Sequence, residues 1–128
     1  MLVPQDLKYQ KTDEWVKLEN DIATIGITDY AQDSLSDVVF VEFAIDPDDE
    51  VSAGDSLATI ESVKAAAEVV FPVSGKVLEV NQALTDTPEQ LNSQPYTGGW
   101  LAKVQVSDES ELEKLMDSAA YDAYCQDR

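Results

Sequence analysis

One lysine in this chain stands where its amine could do more than carry charge. Lys64 lies within IESVKAAAEVVFPVSGKV, residues 60–77, between two apolar runs. Cations are scarce: eight Lys and Arg residues stand against 26 Asp and Glu. An exposed lysine amine is protonated at neutral pH, which makes it a poor general base. It is a reasonable acceptor for an acyl group brought by a modifying enzyme. Acylation would cancel the charge and leave a long, flexible arm. On geometry alone, an ordinary surface or turn lysine is the better-supported reading.

Other chemistries find few residues to carry them. The chain has no histidine, so imidazole bases and His-dependent triads are excluded. With no histidine and one cysteine, zinc and other transition-metal sites lack donors. Cys125 cannot close an internal disulfide, which suits a reducing cytoplasm. No positive charge is expected beside it, so it reads as a bystander. The formal net charge of −18 opposes binding to nucleic-acid backbones and to anionic membranes, and steers the chain toward basic patches on partners. The N-terminal stretch MLVPQDLKYQKTDEW has neither the apolar core of a signal peptide nor the basicity of a transit peptide.

The elements that would position Lys64 are mostly strands. EWVKLEN (14–20) and IATIGI (22–27) are β-branched and aromatic, with Asn20-Asp21 as a turn between them. TDYAQDSL (28–35) reads as a short helix capped by Thr28. DVVFVEFAI (37–45), KVLEVNQ (76–82) and WLAKVQV (100–106) read as strands, and DPDDE (46–50) as an acidic loop. SLATIES (56–62) and AAEVVFP (66–72) form a hairpin over 56–72 with Lys64 at its tip. TPEQLN (87–92) predicts a one-turn helix with Thr87 as cap and Pro88 in its first position. The segment 108–126 is helical in pattern, with a capping box of Ser110 and Glu113, and a second short helix after it. Trp15, Trp100, Phe40 and Phe43 read as core or sheet residues, and Tyr121 and Tyr124 as the packing face of the last helix. The expectation is one domain, 1–128, mainly β: a barrel or sandwich with short helices and a C-terminal helical segment.

The residues around Lys64 carry a resemblance. ESVKAA, PVSGKV and VNQAL strongly resemble the lipoyl-attachment segment of the glycine cleavage system H-protein family. DEWV (13–16), IGITDYAQ (25–32), VVFVE (38–42), NSQPY (92–96), GGW (98–100) and SELEKLM (110–116) extend it over nearly the whole chain. The resemblance implies a lipoyl-domain-like flattened β-barrel, and a non-catalytic shuttle with lipoate in amide linkage to Lys64. It implies Glu61 as a recognition residue for a lipoate ligase or lipoyl transferase. It places Glu14, with Thr12 and Glu68, in a cleft that shelters the aminomethyl-loaded arm. The implied partners are a pyridoxal-phosphate glycine decarboxylase (P protein), a tetrahydrofolate-dependent aminomethyltransferase (T protein) and a dihydrolipoyl dehydrogenase (L protein). The carrier would be a cytoplasmic monomer when free. An H-like scaffold that relays lipoate to other enzymes is the alternative.

The chain departs from the family pattern in three places. Asp13 stands where the family has His before the Glu. Ser36 replaces a helix-ending glycine, so the helix end is expected to differ. Loop 44–50, AIDPDDE, replaces a Pro-rich stretch. A biotin carrier would use the same hairpin, but its lysine is usually flanked by methionines, and here the flanks are Val63 and Ala65.

Overall fold

The computed structural model describes residues 1–128. Two antiparallel sheets face one another. The larger has the strand order β1 (Lys8–Tyr9), β2 (Glu14–Glu19), β3 (Ile22–Ile27), β9 (Ala102–Val106), β8 (Gly75–Val80), β5 (Glu50–Val51). The smaller is β4 (Val38–Phe43), β6 (Ser56–Ser62), β7 (Ala66–Val70). This is the mainly β, barrel-sandwich architecture that the sequence implied. β5 is the strand that the acidic-loop reading missed, because two residues carry no period.

Alternation explains which residues point inward. Val16, Ala23, Ile25 and Ile27 enter the core between the sheets, with Leu57, Ile60, Val69, Phe71, Val77 and Val104. Trp15 faces the opposite way, into a second cluster with Leu7, Tyr9, Tyr121 and Cys125. Its ring lies across Gly26, its direct cross-strand partner, where a Cβ would come within 2.6 Å of the indole. Its indole N–H donates to the Pro95 carbonyl at 2.9 Å. Helix α3 (Ser118–Gln126), capped by Asp117, covers this second cluster, and Tyr121 stacks on Tyr9 with ring centroids 4.7 Å apart. Strand β2 is thus buried on both faces at its start.

Helix α1 (Asp29–Leu35) starts as its sequence implies: the Thr28 hydroxyl accepts from the Ala31 N–H. The departures are local. Helix α2 (Gln90–Ser93) begins later than expected, and the Thr87 hydroxyl donates back to the Ala83 carbonyl in place of capping. The preceding residues 82–85 form a 3₁₀ turn. The expected Ser110–Glu113 capping box is absent: Asp108 caps a 3₁₀ helix, Glu109–Lys114, by accepting from the Ser110 N–H. Met116 then pairs with Tyr9 as a β-bridge, which breaks the segment before α3. Phe40 is in the sheet but 45% exposed, beside exposed Val39 and Val63.

The end of α1 carries backbone strain. Ser36 has φ 65° and ψ −149°, a region open essentially to glycine alone. Replacing Ser36 with glycine is expected to stabilise the fold by about 1 kcal/mol, the released strain less the entropy glycine adds to the unfolded chain. Urea denaturation checks this, and an unchanged midpoint would contradict the strain.

Candidate functional site

The hairpin tip is built by Ser62. Its hydroxyl accepts from the N–H groups of Lys64 (3.3 Å) and Ala65 (3.0 Å), and it donates to the Ala65 carbonyl (3.1 Å). The Ser62 N–H also donates to the Ala65 carbonyl, and the Val63 N–H donates to Asp37 on the neighbouring segment. These bonds fix the turn and leave the side chain of Lys64 exposed. Lys64 takes part in none of the protein's four ion pairs. Glu61, three residues before it, makes no ion pair with it. Glu61 lies exposed on β6, opposite Phe40 on one side and Ala66 on the other. Serine two residues before the tip was the available signal for this turn, since its hydroxyl mimics a backbone acceptor.

Ala65, next to Lys64, opens onto a cleft of about 290 Å³. Leu35, Ile27, Ile60 and Ala67 supply apolar walls, and Thr12, Asp13, Glu14, Ser34 and Glu68 supply the polar groups. Three of the predicted residues, Glu14, Thr12 and Glu68, thus meet in one place, and Glu61 does not line it.

Glu14 is placed there by the turn before β2. The Asp13 N–H donates to the Gln10 carbonyl, and Asp13 takes φ 75°, a conformation that aspartate tolerates better than most residues. That turn starts β2 with Glu14 on the same face as Val16, toward the space between the sheets. Hairpin β6–β7 closes over it, and Glu14 is only 1% exposed. A plain solvated strand acid is therefore ruled out. Every oxygen has a partner: Oε1 accepts from Gln10 Nε2 at 2.7 Å and from the Thr12 hydroxyl, and Oε2 accepts from the Val70 N–H at 3.2 Å. Gln10 and Val70 were not foreseen, because nothing local marks either as a partner of an acid.

No cation reaches Glu14. Burial pushes its carboxyl above the usual carboxylate range, while the bonds from Thr12, Gln10 and Val70 pull it back and the charge of Asp13 adds to the rise. A buried carboxylate with neutral donors and no counter-ion, at one end of an apolar cleft, favours a cationic guest that can enter. Glu68 is exposed at the rim and Thr12 is exposed above the carboxylate. Cys125 is not isolated from positive charge as its sequence suggested: Arg128 Nη1 lies 3.9 Å from its sulfur.

Similarity to known proteins agrees with this geometry. The family model described as glycine cleavage H-protein matches residues 7–128. A glycine cleavage system H protein of Staphylococcus epidermidis is 50% identical over 121 residues, 94% of this chain and 95% of the relative. That of Staphylococcus saprophyticus is 53% identical over 121 residues, with the same shares covered. A crystal structure of the glycine cleavage system H protein of Mycobacterium marinum superposes with a TM-score of 0.88 at 31% identity, covering 97% of this chain and 99% of that one. With the match running through the hairpin, the cleft and the C-terminal helix, this chain belongs to the glycine cleavage H-protein family.

Proposed function

We propose that the chain acts as one domain, a lipoyl carrier of glycine cleavage, with lipoate attached to Lys64 and the cleft at Glu14 receiving the loaded end. The observation that carries this reading is the adjacency of an exposed lysine at a fixed turn to a cleft that ends in a buried, cation-free carboxylate. The residues fit such a group. The amine is free to form an amide, the walls are apolar, and the far end is anionic.

The bound lipoyl group would supply a disulfide that is reduced as it takes the aminomethyl group left when glycine loses CO₂, and that is later reoxidised. The chain's own residues do the rest. Ser62 holds the anchor at a tip that several large partners can reach. Ile27, Leu35 and Ile60 exclude water from the cleft. Glu14, oriented by Thr12 and Gln10, accepts the ammonium of the cargo in a charge-assisted bond. Glu68 adds negative potential at the mouth. Glu61, exposed beside the tip, is read by the lipoate ligase or lipoyl transferase. The chemistry belongs to the partners: the glycine decarboxylase, the aminomethyltransferase that passes the carbon to tetrahydrofolate and frees ammonia, and the dihydrolipoyl dehydrogenase. The carrier itself is not catalytic, and it works in the cytoplasm as a monomer when free.

Reconstituted glycine–bicarbonate exchange tests the reading. The lipoylated protein with a glycine decarboxylase is expected to support exchange, and a scaffold that only relays lipoate would not. The net charge of −18 further predicts that the carrier concentration for half-maximal exchange rises several-fold between low salt and about 0.3 M, as screening shortens to less than ~10 Å. A salt-insensitive value would leave the charge without a role in docking.

A further inference from the structure

Two adjacent carboxylates, Asp13 and Glu14, line the same cleft. Unpaired, they would compete for one cationic guest, and each would oppose ionisation of the other. Asp13 is not unpaired. Its Oδ1 accepts from Arg128 Nη1 at 2.5 Å and from the Tyr121 hydroxyl at 2.8 Å, and its Oδ2 accepts from Arg128 Nη2 at 2.9 Å. The guanidinium is itself held between two rings, with its carbon 4.0 Å from the Tyr30 centroid and 4.8 Å from that of Tyr124. Tyr30 lies on α1 and Tyr124 on α3. Tyr121 is in turn 2.7 Å from the Thr28 hydroxyl that caps α1. The planar fork of arginine, stacked on aromatic faces and bidentate on a carboxylate, is a preorganised pair that a flexible ammonium would not reproduce.

We propose that Arg128 is a positioning residue for the cleft: by occupying both oxygens of Asp13, it leaves Glu14 as the one anion at the buried end able to take a cation. The aspartate that replaces the family's usual residue before Glu14 is thereby neutralised by the arginine that follows α3. This inference rests on the reading of Glu14 as an ammonium acceptor, but it is testable without cargo. The groups that act on Glu14 are few. Gln10, Thr12 and Asp13 come from the preceding turn, and β7 brings the Val70 N–H and Glu68. The cleft-facing residues of α1, Ala31, Ser34 and Leu35, carry no charge. Arg128 and Tyr121 act through Asp13.

Carboxyl ¹³C NMR titration of Glu14 in the unlipoylated protein is the test, on wild type, Arg128→Gln, Asp13→Asn and the double variant. Asparagine tolerates the positive φ at position 13. Arg128→Gln is expected to raise the Glu14 midpoint by about 0.5–1 pH unit, a three- to tenfold change in proton affinity. Asp13→Asn should lower it, and the double variant should return to within about 0.2 units of wild type. An unmoved midpoint in Arg128→Gln, or a displaced one that Asp13→Asn does not correct, would overturn the proposal and leave Arg128 merely pinning α3. Failure of the Glu14 reading looks different: these shifts would persist, while substitution of Glu14 left the release of ammonia from the loaded carrier unchanged.

Discussion

Lys64→Arg is expected to leave the protein without a lipoyl group. Expressed with a lipoate ligase, the wild type gains the mass of one lipoyl group, and the variant gains none. The effect is all-or-none because the modification requires an amine that can be deprotonated in the transferase site, and a guanidinium cannot supply one. Three of the other lysines are set differently from Lys64. Lys17, Lys76 and Lys103 lie along strands and pair with Glu19, Asp48 and Glu79 at 3.8, 3.6 and 3.4 Å. Lys103 also sits over the ring of Trp100. Lys64 stands at a turn fixed by Ser62, with apolar Val39, Phe40 and Val63 exposed nearby. Arginine keeps the length and charge of the tip, so the fold and the turn should be unaffected. Addition of a lipoyl group to Lys64→Arg would move the anchor to another lysine.

Glu14→Gln is expected to make the free protein more stable at neutral pH and a worse keeper of its cargo. The carboxyl of Glu14 is raised above its ordinary value, chiefly by burial. A group of that kind contributes stability that is fully present below the unfolded-state pKa, near ~4.3, and lost as pH rises through the folded value. Once ionised, the carboxylate is therefore a liability in the empty cleft. Glutamine keeps the shape, its oxygen can accept from Val70, and its amide can donate to Thr12. Denaturation from pH 4 to 8 should show wild-type stability falling as pH rises above the unfolded-state value and the variant's staying flatter. Loaded with an aminomethyl group, the same variant lacks the charge-assisted bond, worth roughly 1.5–3 kcal/mol. Ammonia loss should accelerate by about ten- to a hundredfold, while the extent of lipoylation stays at the wild-type level. Equal loss rates would remove Glu14 from the role of acceptor.

Parts of this arrangement are legible in the sequence because they depend on neighbours along the chain. The limits of β6, the Thr28 cap and the tip at Lys64 follow from β-branched runs and short-range hydrogen bonding. Glu14 illustrates what is not legible. It is buried, and the residue that donates to it from the other sheet, Val70, is 56 positions away. Family resemblance pointed to Glu14, but neither Gln10 nor the Val70 N–H could be foreseen as its partner. The Ser110–Glu113 box failed for a related reason. Asp108 reached the free N–H first, and the tie of Glu111 to Ser74, at 2.7 and 2.8 Å, fixed the segment as a 3₁₀ helix against the barrel. The Asp13–Arg128 pair joins positions 115 apart and depends on how α3 packs, so no local pattern announces it.

Whether the anchor at Lys64 and the carboxylate at Glu14 work as one device is read most directly by amide NMR of the carrier before and after aminomethyl loading. Loading is expected to shift the resonances of Thr12, Glu14, Ala67 and Val70 and to slow hydrogen exchange of the Val70 amide, with Glu14→Gln abolishing both changes. Shifts confined to residues 62–66 would place the loaded end in solvent and contradict a shelter at Glu14.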